Sequence, residues 1–414
     1  MSCDFRTLSG EELHTVCKAL RAQYETIKEK GLSLDMSRGK PSPCQLGFSD
    51  AMLTALADSG DCKTDAGFDT RNYGLPNGVP ELSRIMAELL GVHENEIVLG
   101  GNSSLTMMYD AVCRAMFFGT DSVSAPWKDQ GTVKFLCPAP GYDRHFAITE
   151  RFGIEMLPVP MTGHGPDMDM VEALAQSDAA VKGMWCVPKY SNPTGETYSE
   201  ETVRRIASLR PAAPDFRVFW DMAYALHDLD STPDELLNIF ALTRGTENEN
   251  LVLGFFSTSK ITYAGAGVAM MISGADNVKR ARAEIAYQTI SPDKMNQLRH
   301  ARYLACADNV RALMRRHASV LKPKFDTVTR VFQKEFSDCG FASWTEPHGG
   351  YFLSLDVLPG TARRTVELCK NAGVTLTPAG STYPYKRDPE DKNIRIAPSY
   401  PEIHELETAM KVVC

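Results

Sequence analysis

No apolar run in this chain approaches the roughly 18 residues that a bilayer-crossing helix needs, so a membrane span is not expected. There is no C-x-x-C pair. The 11 cysteines are spread over 414 residues, mostly among apolar neighbours, which argues against a disulfide scaffold and against a zinc site, and no metal is expected. Basic blocks are missing too. Lys and Arg total 44 against 52 Asp and Glu, a formal net charge of −8, whereas nucleic-acid binding needs a cationic surface that displaces counterions from phosphates. The opening residues, MSCDFRTLSGEELHTV, carry acids and no apolar core of signal-peptide length, so the cytoplasm is the expected compartment. An anion bound by such a chain must be met by a local set of donors, which suits a small phosphate ester or carboxylate.

What is present is the composition of a globular enzyme, 43% apolar and 23% charged, in a chain longer than one hydrophobic core usually supports. Ser9 and Glu12 form a capping box that opens a helix, with Leu13, Val16, Cys17, Leu20, Tyr24 and Ile27 at helical spacing before Gly31 stops it. Pro80 opens a second helix and Gly91 closes it. Short β-rich runs follow at Ile97–Leu99, Lys134–Cys137, Glu155–Val159, Val181–Val187, Val218–Trp220, Leu251–Phe255 and Val268–Ile272. Amphipathic stretches such as Glu200–Leu209 separate them, which predicts crossover connections and a largely parallel sheet covered on both faces, an α/β architecture. Beyond residue 300 the rhythm changes to a long helical stretch (Arg299–Glu335), a strand in GGYFLSLDV, another helix and a last strand around Ile394. This reads as a second, α+β domain.

Four clusters can carry chemistry. Lys260 ends Phe256-Ser257-Thr258-Ser259-Lys260, after an apolar strand; burial there makes its ammonium easier to deprotonate, and the neighbouring hydroxyls can hold a phosphate. Asp221 ends the run Val218–Trp220, where an uncompensated carboxylate would be costly, so it should face a cation, a hydrogen-bond network or solvent. A protonated pyridine nitrogen is one such cation; at about 4 Å and an effective dielectric near 20 the pair is worth roughly 4 kcal/mol. Asn192, in Ser191-Asn192-Pro193-Thr194-Gly195, can aim an amide into a cleft at the carboxyl edge of a sheet. Gly100-Gly101-Asn102-Ser103-Ser104-Leu105 is a strand-to-helix junction whose free N–H groups suit an anion. Taken singly, each has an ordinary alternative: a surface charge, a helix cap, a plain turn, a capped helix. Their order at successive strand ends is what binds them together.

In that order the clusters resemble the fold-type-I aminotransferases of class I/II, over nearly the whole chain. The resemblance implies a fold with a large domain carrying a mostly parallel seven-stranded sheet (61–298) and a smaller α+β domain (299–414), to which an N-terminal helix and substrate loop (1–60) belong. It implies pyridoxal 5′-phosphate held as a Schiff base on Lys260, with Asp221 on the pyridine nitrogen, Asn192 and Tyr224 on the phenolic oxygen and Tyr142 of PAPGYDRH stacked on the ring. Lys260, Asp221 and Tyr224 are then the catalytic residues. The phosphate falls to Asn102, Ser103, Ser104, Ser257 and Ser259, joined by Tyr73 of NYGLPNGVPEL from a partner subunit, which implies a homodimer. Arg395 of Asn393-Ile394-Arg395-Ile396-Ala397 takes the substrate α-carboxylate alongside Asn192, and SRGKPSP, with Arg38 and Gly39, matches the substrate loop. One departure stands out: relatives carry a phosphate-binding arginine about eight residues after the lysine, and here GAGVAMM has none. That change, with SRGKPSP and PHGGYF, resembles a divergent aspartate aminotransferase subgroup. The implied reaction moves an amino group from an amino acid, aspartate first, to a 2-oxo acid such as 2-oxoglutarate, with Arg38 the leading candidate for a distal carboxylate ahead of Lys40 and Arg144. Three alternatives remain: a C–S β-lyase using the same cofactor, a transaminase for another amino acid, and an effector-sensing regulator, which the acidic balance and the lack of a helix-turn-helix module before Ser33 disfavour. A phosphate loop for nucleotides is not indicated, since G-x-x-x-x-G-K-[ST] is absent.

Overall fold

Seven strands form one sheet: β1 (Ile97–Leu99), β2 (Lys134–Ala139), β3 (Glu155–Pro160), β4 (Val181–Cys186), β5 (Arg217–Asp221), β6 (Val252–Ser257) and β7 (Ala269–Ile272). The computed structural model describes residues 5–337 and 339–414. Across the sheet the order is β1-β7-β6-β5-β4-β2-β3, and all neighbours are parallel except those of β7, which runs antiparallel to both β1 and β6. Every residue of β1, β4, β5, β6 and β7 is buried, so these strands read as continuous apolar runs because both faces are covered. Alternation survives in what each face touches. Phe135, Trp185, Phe219 and Phe255 form a chain of ring contacts on one side, while Leu136, Met184, Trp220 and Phe256 enter the core on the other. β3 lies at the edge, where Pro158 and Pro160 cost little because outward N–H groups have no partner to lose.

The helices used below are α1 (Gly10–Lys28), α2 (Pro80–Leu90), α3 (Ser104–Phe118), α4 (Asp143–Arg151), α5 (Lys294–Leu304) and α6 (Ala307–Phe336). The Ser9–Glu12 capping box is present, and Gly91 ends α2 in the left-handed conformation, as expected. The apolar stripe of α1 behaves differently: none of its residues is buried, and Tyr24 reaches beyond the helix through its hydroxyl, which donates to the Leu368 carbonyl. The stretch expected as one helix from Arg299 to Glu335 is two. α5 stops where Ala305 turns left-handed (φ 58°), and α6 starts after it. No glycine or proline marks that break, so the pattern runs through it unannounced.

A smaller antiparallel sheet has the order β10-β9-β8, with β8 at Ser343–Trp344, β9 at Leu353–Asp356 and β10 at Asn393–Ile396. Leu34–Asp35 pairs in parallel with Val374–Thr375, which fastens the N-terminal segment to the C-terminal one. α6 bridges two cores. Its Val310, Leu313 and Met314 pack with the large sheet, as do Ala301 and Leu304 of α5, whereas Leu321, Phe325, Val328 and Phe332 pack around the small sheet. The packing therefore passes from one core to the other inside α6, between Met314 and Leu321. Among the described residues no helix is long and apolar enough to cross a membrane, no His, Cys, Asp or Glu group is arranged for a metal, and the cysteines are free thiols.

One buried charge anchors the outer end of the sheet. The Asp215 carboxylate accepts the Trp127 indole N–H (3.0 Å), the Gln130 amide (2.9 Å) and the Lys182 ammonium (2.6 Å). Asp215→Ala leaves a buried ammonium and a buried indole N–H unpartnered, and should lower stability by about 3–5 kcal/mol. Urea unfolding measures it, and a loss below about 1 kcal/mol would show that the site relaxes to water.

Candidate active site

The parallel strands all end at one edge, where open α/β sheets place their ligands. β5 delivers Asp221 there, 3% exposed. Its Oδ1 accepts the Ala223 backbone N–H (3.1 Å), and its Oδ2 lies 3.1 Å from His145 Nε2, on α4. The His145 ring is stacked on Trp185 (4.4 Å between centroids, 10° between planes), which fixes the imidazole as it meets the carboxylate.

β6 ends at Ser257, and a single tight turn, Thr258–Lys260, carries the chain to Lys260. The Lys260 amine makes no hydrogen bond among the described residues; it sits 4.9 Å from the centre of the Tyr224 ring, with part of its side chain open to a cavity. Burial pushes its ammonium pKa down, and the Asp221 charge opposes that in part. Burial also raises the phenols of Tyr224 and Tyr142, with Asp221 adding to the effect, so both are neutral donors.

Two adjoining cavities share Tyr142, Asn192, Tyr224 and Lys260 as walls. The smaller, about 180 Å³, is closed by Ser103 and Ser104 at the start of α3, by Ser257 and Ser259, and by Asp221 and Ala223. The larger, about 950 Å³, has Arg38, Gly39, Arg144 and Arg395 among its walls. Arg395 comes from β10, opposite Ser354 in register. Its guanidinium lies over the Phe352 ring (4.8 Å) and donates to Asp143 Oδ1 (2.9 Å), Asn192 Oδ1 (3.2 Å) and Thr377 Oγ1 (3.2 Å). Gly39 has to be glycine here, because a Cβ would stand 2.5 Å from Cζ of that same ring.

The residues singled out in the sequence do not all meet. Ser103, Ser104, Tyr142, Asn192, Asp221, Tyr224, Ser257, Ser259 and Lys260 line the smaller cavity. Asn102 does not: its amide donates to the Gly265 carbonyl (3.3 Å), and its own carbonyl accepts the Ser259 hydroxyl (3.2 Å), so it braces the loop after Lys260. Tyr73 is 76% exposed and lines neither cavity of its own chain. Lys40 is held over the Tyr400 ring at 3.8 Å and is not a wall of the larger cavity. His145, Asp143, Thr377 and Phe352 went unread in the sequence. His145 had a signal: three residues after Tyr142 at a helix start, it shares that residue's face.

This architecture defines a class. The α-aminoadipate aminotransferase of Thermus thermophilus, solved with N-(5′-phosphopyridoxyl)-L-leucine, matches with a TM-score of 0.72 at 18% identity, covering 94% of this chain and 93% of that one, a common fold. The solved aspartate transaminase of Corynebacterium glutamicum matches with a TM-score of 0.96 at 47% identity, over 100% of this chain and 97% of that one. The protein is an aminotransferase of fold type I. A family profile described as aspartate amino-transferase matches residues 8–414, and the aspartate aminotransferase of Corynebacterium glutamicum is 47% identical over 409 residues, 99% of this chain and 94% of that protein. The chain belongs to the aspartate amino-transferase family.

In the cofactor-free protein, Lys260 should titrate below the ordinary lysine value of 10.5, as read by competitive acetylation across pH and peptide mass spectrometry. Asp221→Asn should move it further down, since the charge that favours the ammonium is gone. A Lys260 pKa at or above 10.5 would contradict the geometry.

Proposed function

We propose that this aminotransferase passes the amino group of aspartate to a 2-oxo acid such as 2-oxoglutarate, with pyridoxal 5′-phosphate carried on Lys260. One observation supports this above the others: a desolvated amine, a buried carboxylate and a buried guanidinium, those of Lys260, Asp221 and Arg395, face two joined cavities. The donor set suits the cofactor. Ser257, Ser259 and the N-terminal N–H groups of α3 at Ser103 and Ser104 would hold the phosphate, the helix end adding roughly half a positive charge. Asn192 and Tyr224 would take the phenolic oxygen, and Tyr142 a ring face. Bound there, the cofactor supplies an aldehyde to accept the amino group and a ring that delocalises the electron pair left at the substrate Cα.

The chain's own residues do the rest. Asp221, braced by His145 and the Ala223 N–H, would keep a proton on the ring nitrogen. Lys260, shifted toward its neutral form by burial, would take the proton from Cα. Arg395 would clamp the α-carboxylate, its plane set by Phe352, Asn192 and Thr377. Arg38, on the wall of the larger cavity, would meet the β-carboxylate; Arg144, which lies 4.0 Å from Asp143 on the same wall, is the second candidate. Tyr73, with its ring exposed, would reach the neighbouring site in a homodimer, in the cytoplasm.

Incubated with L-aspartate and 2-oxoglutarate, the protein should yield oxaloacetate and glutamate, and Lys260→Ala should lower the rate by at least about 100-fold. Arg38→Ala should cut kcat/KM for aspartate by about 10- to 100-fold, the worth of a charge-assisted hydrogen bond, and spare alanine. Equal impairment of both amino acids would remove Arg38 from the role. Pyruvate and ammonia released from cystathionine without any keto acid would overturn the reaction itself.

A further inference from the structure

The Lys260 amine has no hydrogen bond among the described residues, so its place is set by packing and by the backbone from which it hangs. That backbone is held in an unusual way: three consecutive residues are each met by a different buried histidine. His227, in the loop after β5, has its Nε2 3.3 Å from the Lys260 carbonyl. His317, in α6, has its Nε2 2.9 Å from the Ile261 carbonyl. His300, in α5, has its Nε2 2.9 Å from the Thr262 hydroxyl. None of the three is more than 2% exposed, and none lines the cavities at the sheet edge.

The protons on these rings follow from their partners. Gln45 Oε1 accepts the Ser42 N–H (3.0 Å), which turns its amide nitrogen toward His317 Nδ1 (3.0 Å) and the Tyr351 hydroxyl (3.2 Å). His317 Nδ1 is therefore an acceptor, and its Nε2–H donates to Ile261. His300 Nδ1 donates to the Asn296 carbonyl (2.8 Å), so its Nε2 accepts from Thr262. His227 gives its Nε2–H to Lys260, while its own carbonyl accepts the Gly350 N–H (2.9 Å) and its ring meets Tyr351 edge-on (5.5 Å). Burial keeps all three neutral, pushing His227 down to about 3 and His300 and His317 to about 4. Each ring thus has one donor and one defined tautomer at neutral pH.

Both holds on the lysine turn lead to the smaller domain. Ser42 lies in the segment SRGKPSP, whose Arg38 and Gly39 wall the larger cavity, and Tyr351 follows the Gly350 that His227 engages. We propose that His227, and His317 as oriented by Gln45, are positioning residues for Lys260: they fix the carbonyls of Lys260 and Ile261, and His317 makes the placement of the amine depend on how the Ser37–Ser42 loop is seated. This rests on the role given to Lys260 above. Neither histidine touches substrate or cofactor in this arrangement; both act through the backbone.

The test uses His227→Leu, which removes the donor, His227→Gln, whose amide can replace it, and Gln45→Leu, His317→Leu and their double variant. In the holoenzyme, His227→Leu should lower kcat by about 10- to 100-fold, the cost of a misplaced reacting group, with the KM for aspartate nearly unchanged and a larger α-deuterium isotope effect. His227→Gln should recover most of that rate. The Gln45→Leu/His317→Leu double variant should lose no more than His317→Leu alone, because the two act as one unit. In the cofactor-free protein, Lys260 should acetylate with an altered rate in His227→Leu and His317→Leu, measured against buried Lys324 as the internal reference. That readout needs neither cofactor nor substrate, so it survives a wrong choice of donor, while full turnover by Lys260→Ala would sink the earlier reading instead. The proposal is overturned if the leucine variants keep wild-type kcat and Lys260 labelling, if His227→Gln is as impaired as His227→Leu, or if Gln45→Leu and His317→Leu multiply independently.

Discussion

A carboxylate at the end of a wholly buried strand is the constraint around which the site is arranged. A lone charge in the position of Asp221 would cost several kcal/mol, and the chain answers with three partners from three places. The Ala223 N–H comes from the turn that follows β5, His145 from the start of α4, and Lys260, through space, from the turn after β6. Strand order makes this possible. β6 adjoins β5 on one side and β4 then β2 lie on the other, so the residues after β6 and β2 reach the same point from opposite sides. The benefit is mutual, since the carboxylate that needs a cation also keeps the neighbouring amine from being driven wholly neutral by burial.

The second constraint is that half of the cavity is built by the other core. Arg395 stands on β10 of the small sheet, yet its guanidinium is held by Asn192 and Asp143, which follow strands of the large one. Phe352 supports that guanidinium from below, and the absence of a side chain at Gly39 lets the Ser37–Ser42 segment cross the same ring. α6 spans both cores as one continuous helix, with His317 near the hand-over. The joint between the domains is thus made of directed hydrogen bonds among buried groups, where a small shift on one side has a defined effect on the other.

Much of this was legible because it depends on local pattern. Fully buried strands give short β-rich runs, and all seven were found within a residue or two. Asp221 and Lys260 announced themselves as polar residues closing such runs, where burial makes an ionisable group expensive unless it has a task. What stayed hidden depends on contacts far apart in sequence. Gln45 and His317 are 272 residues apart, and nothing in either neighbourhood points to the other. His145 and Asp143 lay in a segment read only for Tyr142 and Arg144. Asn102 was read correctly as a residue of the helix-start loop, but its direction, toward Gly265 and away from the cavity, is a rotamer choice that spacing does not encode. The break at Ala305 escaped because an alanine with positive φ carries no glycine or proline to announce it.

The same fold offers a physical reason why the loop after Lys260 can do without an arginine. Gly267 packs so closely on Ser259 that a Cβ there would lie 2.8 Å from the serine oxygen and 2.9 Å from its backbone nitrogen. Asn102 and Asn296 then tie the loop down, through the Gly265 carbonyl and through those of Ala266 and Gly267. With the loop drawn in this tightly, the hydroxyls of Ser257 and Ser259 stand 3.2 Å apart on the cavity wall, facing the start of α3. Apart from Lys260, no basic side chain among the described residues lines that cavity. An anion there is met by neutral donors and a helix end, a weaker field than a guanidinium but one that leaves the charge balance of the small cavity to Asp221 and Lys260.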